Sequence, residues 1–138
     1  TVISRDGAVS YISDRLSPMK EFLLVGTGSF IGGACRYYQA GVFAGVAISI
    51  SFDTFVVNIL GCLLIGAVAG ITETQHPSSL LRLFLMTGML GGFTTFSAFG
   101  YETITLIRTG ALGVAFSYVT LSVILSLIAV AIGLRLTG

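Results

Sequence analysis

Few side chains in this sequence can do chemistry, and most of those sit inside apolar runs. Asn58 stands among Val56, Val57, Ile59 and Leu60. Its carboxamide offers two donors and an acceptor. Inside a bilayer such a group either links helices or serves something polar. Tyr118, Ser122 and Ser126 recur every four residues and so share one helical face. Their hydroxyls form a strip of donors and acceptors, unless each bonds back to its own helix. Phe96 and Phe99 are three apart and project on similar sides. Rings in an apolar helix commonly pack, but their edges carry positive quadrupole charge and can meet an anion. Arg36 and Glu102 are the charges nearest the apolar runs. Arg36 can snorkel to the interface, and both read as structural before they read as proton carriers. No Ser/His/Asp or Cys/His set can be assembled. His76 stands beside Pro77, and Glu21 has no second carboxylate near it. An enzyme is therefore not expected. Cys35 and Cys62 lie in apolar stretches outside any CxxC motif and read as buried, unreactive thiols.

The elements that must hold these groups follow from composition. The chain has 138 residues, 54% of them hydrophobic and 9% charged, with a mean hydropathy of +0.98. A soluble domain carries roughly 25% charged residues, so this chain cannot solvate a globular surface. A net charge of +1 gives no basic field for nucleic acid. An all-α integral membrane protein remains. A span needs about 20 apolar residues, and four are expected, at about 22–43, 54–71, 80–107 and 112–134. A chain this small encloses little alone, so an oligomer is expected.

Residues 1–18 read as a separate N-terminal extension, amphipathic through Val2, Val9, Ile12 and Leu16 or appended from elsewhere, and ended by Pro18. Residues 19–138 form the transmembrane domain. Pro77, in the polar stretch 72–79, prevents a continuous helix there. Arg108-Thr109-Gly110 reads as a tight turn.

The third segment is the irregular one. Residues 87–103, TGMLGGFTTFSAFGYET, break an apolar run with glycines, threonines and a serine. Gly91-Gly92 and Thr94-Thr95 disfavour helix. Unwound backbone in lipid survives only within protein or beside water, so a buried break is expected. The competing expectation is a continuous helix whose glycines permit close packing. The pairs Gly28/Gly32, Gly66/Gly70 and Gly88/Gly92 favour that alternative.

Lys20, Arg82 and Arg135 flank one side of the membrane, and Arg36 and Arg108 the other. Without Arg5 and Arg15 that balance gives the positive-inside rule little to act on. It permits insertion both ways and an antiparallel homodimer.

Taken together, GSFIGGACRYY (28–38), TFVVNILG (54–61), GMLGGFTTFSAF (88–99) and the Ser122/Ser126 pair resemble the CrcB/Fluc family of fluoride channels. The resemblance covers about residues 19–138. It implies a dual-topology homodimer with two pores in the cell (inner or plasma) membrane, passively exporting toxic fluoride. It implies a structural sodium ion at the dimer centre, held by backbone carbonyls that fall on Gly91 and Thr94. The family's pore phenylalanines fall on Phe96 and Phe99 and its pore asparagine on Asn58. Its hydroxyl track falls on Tyr118, Ser122 and Ser126, with Thr95 and Ser97. Thr54 and Glu102 occupy family-like polar positions, and Arg36 the vestibule side of the first span. Partners implied are fluoride, sodium, the lipid bilayer and a second copy of the chain.

Two other readings compete. A small multidrug-resistance-type exporter shares the architecture but needs a carboxylate in the first span, and none lies between Phe22 and Cys35. A non-transporting membrane scaffold would conduct nothing.

Overall fold

The computed structural model describes residues 5–43, 52–75 and 77–138, with side chains from Pro18 onward except that of Phe43. The side chains of the expected amphipathic extension, much of the first connection, and His76 lie outside the described residues. The described residues hold helices and turns but no strand. Helix α1 covers Arg5–Phe43 and α2 covers Phe52–Gln75. The third span is composite. It consists of α3 (Ser79–Arg82), a π-helical stretch (Leu83–Leu90), α4 (Gly91–Phe93) and α5 (Phe96–Arg108). Helix α6 covers Leu112–Thr137.

Three helical stretches are long and apolar enough to cross a membrane: Phe52–Gln75, Ser79–Arg108 and Leu112–Thr137. Helix α1 is longer than any of them, but its glycines and the Arg36-Tyr37-Tyr38-Gln39 end dilute its apolar run. The chain is thus a multi-pass, all-helical membrane protein.

Several boundaries differ from expectation. Pro18 does not end a helix but lies inside α1. Proline fixes φ near the helical value, so it forfeits one backbone bond without requiring termination. The polar run after residue 71 remains helical to Gln75. Thr72 donates to the Ala69 carbonyl at 2.7 Å and Thr74 to that of Gly70 at 3.1 Å, so these hydroxyls find acceptors within the helix. Only Pro77 and Ser78 are non-helical on the described side of that connection, and the Ser78 hydroxyl caps α3 by accepting the Leu81 N–H at 3.3 Å. Helix α6 runs past Leu134 because Thr137 donates to the Ala67 carbonyl at 2.9 Å and ties its end to α2. The tight turn between α5 and α6 occurs at Thr109–Gly110, with Gly110 at φ 81°, a conformation glycine adopts without steric cost.

Packing divides the molecule into two parallel helix pairs. A Cβ on Gly28 would lie 2.8 Å from the Phe84 carbonyl oxygen, and one on Gly32 would collide with that of Met89. Gly88 faces Val25 and Gly28, and Gly92 faces Ser29. Positions therefore advance together along α1 and the third span. The same holds for α2 and α6, where Gly66 meets the Val130 carbonyl, Gly70 that of Leu134, and Gly133 that of Leu63. The glycine pairs do the close packing their spacing suggested, and the break also exists. Thr94 (φ −80°, ψ 156°) and Thr95 (φ −147°, ψ 112°) are extended and separate α4 from α5. The third span is therefore not a continuous helix, although its glycines do pack closely against α1. The π-helical stretch was not foreseen. It runs for eight residues, beyond the single-turn bulge usual for this geometry.

Few side chains are buried. Val57, Leu90, Ala115, Tyr118 and Ala129 form the small core. Phe22, Phe30, Leu127 and Leu136 are among many exposed apolar residues, as expected of surfaces that meet lipid or another protein.

Candidate functional site

The break is held open by one side chain from another helix. Asn58 of α2 accepts the Thr95 N–H at Oδ1 (2.9 Å) and donates from Nδ2 to the Thr95 carbonyl (3.1 Å). In an unbroken helix the Thr95 N–H would close on the Gly91 carbonyl. Asn58 takes it instead. Likewise the Ala98 N–H, which would reach the Thr94 carbonyl, goes to Thr95 Oγ1 at 3.3 Å. Thr95 thereby becomes the N-cap of α5. The carbonyls of Gly91 and Thr94 are the acceptors released by these two diversions. Asn58 does form the interhelical link that its position allowed, and one of its two amide protons is left over.

Around the break lie two cavities. The first, about 400 Å³, takes its polar wall from Asn58, Thr94, Thr95, Ser122 and Ser126, and its rings from Phe96 and Phe99. It also touches Gly91 and Cys62. The second, about 410 Å³, includes Arg36, Gln39, Asp53, Thr54, Ser97 and Glu102. Thr95 lines both. The sequence-derived candidates other than Tyr118, which lines neither cavity, therefore divide into two neighbouring groups that meet at the break.

Within the first cavity the two α6 hydroxyls differ from that of Thr94 and from others among the described residues. Thr27, Thr94, Thr103, Thr105 and Thr109 all donate to carbonyls of their own helical stretch. Ser122 and Ser126 do not. Ser122 is 8% exposed, and its Oγ is buried without a partner. The strip on α6 is thus real for these two residues. Tyr118, the third member, has its hydroxyl committed: it donates to Glu102 Oε2 at 2.6 Å.

Thr54 donates to Glu102 Oε1, also at 2.6 Å. One carboxylate on α5 is gripped by a hydroxyl from α2 and another from α6, and both donors are buried. Short distances of this kind are typical of hydrogen bonds to a charged acceptor. Among the described residues no cation stands within ion-pair distance of Glu102. Thr95 and Ser97 hydroxyls lie 3.3 Å apart.

The rings form a chain. Phe96 and Phe99 centroids are 5.5 Å apart, and Phe99 and Tyr118 centroids 5.3 Å apart, each pair tilted by 41°. Phe96 is 84% exposed while Phe99 is half-buried. Phe96 therefore stands at the cavity rim and Phe99 between the rim and Tyr118.

Several cavity residues escaped the sequence reading, Cys62 and Gln39 among them. Cys62 is half-buried and lines the first cavity, so it is not a core thiol. Its spacing of four from Asn58 was the available signal. Cys35 is not buried but exposed. Gln39 lines the second cavity with both amide atoms buried and unpartnered. No motif near the end of the first span pointed to it.

Residues 23–134 match the sequence profile of the family described as CrcB-like protein, Camphor Resistance (CrcB). The chain belongs to the CrcB family. Curated CrcB relatives agree over nearly their whole length. A protein of Methylobacillus flagellatus is 40% identical over 121 residues, covering 86% of this chain and 94% of the relative. One of Flavobacterium psychrophilum is 42% identical over 118 residues, covering 84% and 95%. One of Paracoccus denitrificans is 45% identical over 114 residues, covering 82% and 90%. All three are named fluoride-specific ion channel FluC.

Proposed function

We propose that this chain is a passive, fluoride-selective channel of the cell's inner or plasma membrane, working as an antiparallel homodimer that lets toxic fluoride out. The observation that carries this reading is the first cavity. It joins an unpaired buried serine hydroxyl, a second serine, a spare carboxamide proton and two phenyl rings beside an unwound backbone.

Fluoride is small and strongly hydrated. A pore must replace its water with donors strong enough to admit it and weak enough to release it. Ser122 and Ser126 offer O–H groups, Asn58 its remaining N–H, and Phe96 and Phe99 their positive ring edges. None carries a full charge that would trap the ion. The Glu102 carboxylate is met by two hydroxyl donors that spread its charge, and Arg36 lines the same cavity. That cavity serves as the vestibule, and Thr95, shared by both cavities, marks the passage between them.

A second, inverted copy would cover the open side of the first cavity and the exposed Phe96. It would also bring two sets of Gly91 and Thr94 carbonyls together. Released from helical bonding, these acceptors suit a hard cation, and a sodium ion there offsets backbone groups that lipid cannot satisfy. In this arrangement α1 is the fourth crossing, packed in parallel along the third span. The relatives' names supply the substrate, and the donor set fits it.

Liposomes loaded with fluoride and carrying the purified protein test this reading. Fast fluoride release with chloride retained is expected. Folded protein that releases neither ion, or both equally, would overturn it.

A further inference from the structure

Helices α2 and α6 share one register along their whole contact. On α2 the ridge runs Thr54, Asn58, Cys62, Gly66, Gly70. On α6 it runs Tyr118, Ser122, Ser126, Val130, Leu134. The same difference in residue number separates the two members of every rung. The register is fixed at both ends. Thr54 and Tyr118 grip the same Glu102 carboxylate, while Gly66 meets the Val130 carbonyl and Gly70 that of Leu134. Between them, Asn58 stands opposite Ser122 and Cys62 opposite Ser126, and all four line the first cavity. The polar rungs stop there, because the next two are closed by glycine against backbone.

Cys62 is therefore the last α2 group on the polar strip. That the strip is built for a ligand rests on Ser122, whose hydroxyl is 8% exposed as a residue, unpartnered and turned to the same space. We propose that Cys62 lines the ion path as its third polar rung, and that its thiol is the site at which a soft, thiophilic cation closes that path. The inference rests on the channel reading and adds its chemical point of control. Thiolate sulfur selects soft metals. Silver bonds to the sulfur in place of the thiol proton, which leaves to water, so no oxidant is needed. The resulting silver thiolate fills the strip between Cys62 and Ser126 and obstructs the path.

The test uses full-length protein in liposomes, in chloride-free nitrate buffer, with silver nitrate added outside. Wild-type fluoride efflux is expected to fall at least ten-fold and to recover when dithiothreitol removes the silver. Cys35→Ser should be blocked equally. Cys62→Ser and Cys62→Ala should conduct at whatever rate they retain and ignore silver. In the wild type, methyl methanethiosulfonate should add its thiomethyl group to the Cys62 peptide, more slowly when fluoride is present. Block that persists in both Cys62 variants, wild-type efflux indifferent to silver, or an adduct confined to Cys35 would overturn the inference and leave the channel standing. A wild-type protein that releases no fluoride before silver is added would remove both.

Discussion

Asn58 satisfies both backbone groups of Thr95, accepting its N–H at 2.9 Å and donating to its carbonyl at 3.1 Å. One carboxamide thus does for an extended residue what a β-strand neighbour would do, and it does so where water is scarce. The break in the third span depends on this pairing.

Replacing Asn58 with alanine strands two backbone groups in a low-dielectric site, each worth about 1–3 kcal/mol when unsatisfied. Thermal unfolding in detergent should show a loss of about 2 kcal/mol or more, and fluoride efflux should collapse with it. Asn58→Asp keeps the acceptor for the Thr95 N–H and should unfold later than Asn58→Ala. Equal stability of wild type and Asn58→Ala would mean that the break closes without help.

Glu102, Thr54 and Tyr118 form a three-helix knot that a double-mutant cycle can weigh. Hydrogen bonds to a charged acceptor contribute about 1.5–3 kcal/mol each. Tyr118→Phe alone should destabilise by an amount in that range. In a Glu102→Gln background the same change should cost clearly less, since a neutral amide oxygen accepts the phenol proton more weakly than a charged carboxylate. Additive losses would show that the two side chains act independently.

Phe96 is 84% exposed in the protomer, whereas Phe99 packs against Tyr118. Phe96→Ile should therefore cut fluoride efflux more than ten-fold, with little change in melting temperature and with the oligomer intact on size exclusion. Flux that survives Phe96→Ile would remove the ring edge from the pathway.

The glycine contacts predict a contrast between positions. Gly32→Ala places a methyl group against the Met89 carbonyl, and Gly66→Ala places one against that of Val130. Each should destabilise by about 1–3 kcal/mol, as overpacking does. Gly113→Ala meets nothing within 4 Å and should be neutral or slightly stabilising. Chemical denaturation in mixed micelles separates these outcomes.

Much of this architecture was legible in the sequence because membrane chemistry leaves few alternatives. A glycine-rich, β-branched interruption inside an apolar run can survive only when buried, and residues 94–95 are where the helix parts. The spacing of Ser122 and Ser126 gave their shared face correctly. The role of Tyr118 was hidden, because its partner Glu102 lies on another helix and no periodicity links them. Cys62 was set aside because composition treats a lone thiol as apolar, and only the register between α2 and α6 places it opposite Ser126. Pro18 misled for a related reason. A helix tolerates one missing hydrogen bond, and the sequence does not say where that loss is offset.

Electrical recording from planar bilayers tests the central claim most directly, since it separates passive flow from coupled transport and reads selectivity as a voltage. With fluoride and chloride gradients set in opposite directions and no pH gradient, the current should reverse at the fluoride equilibrium potential. Reversal near the chloride potential, a current that needs a proton gradient, or a silent bilayer containing folded protein would contradict the account.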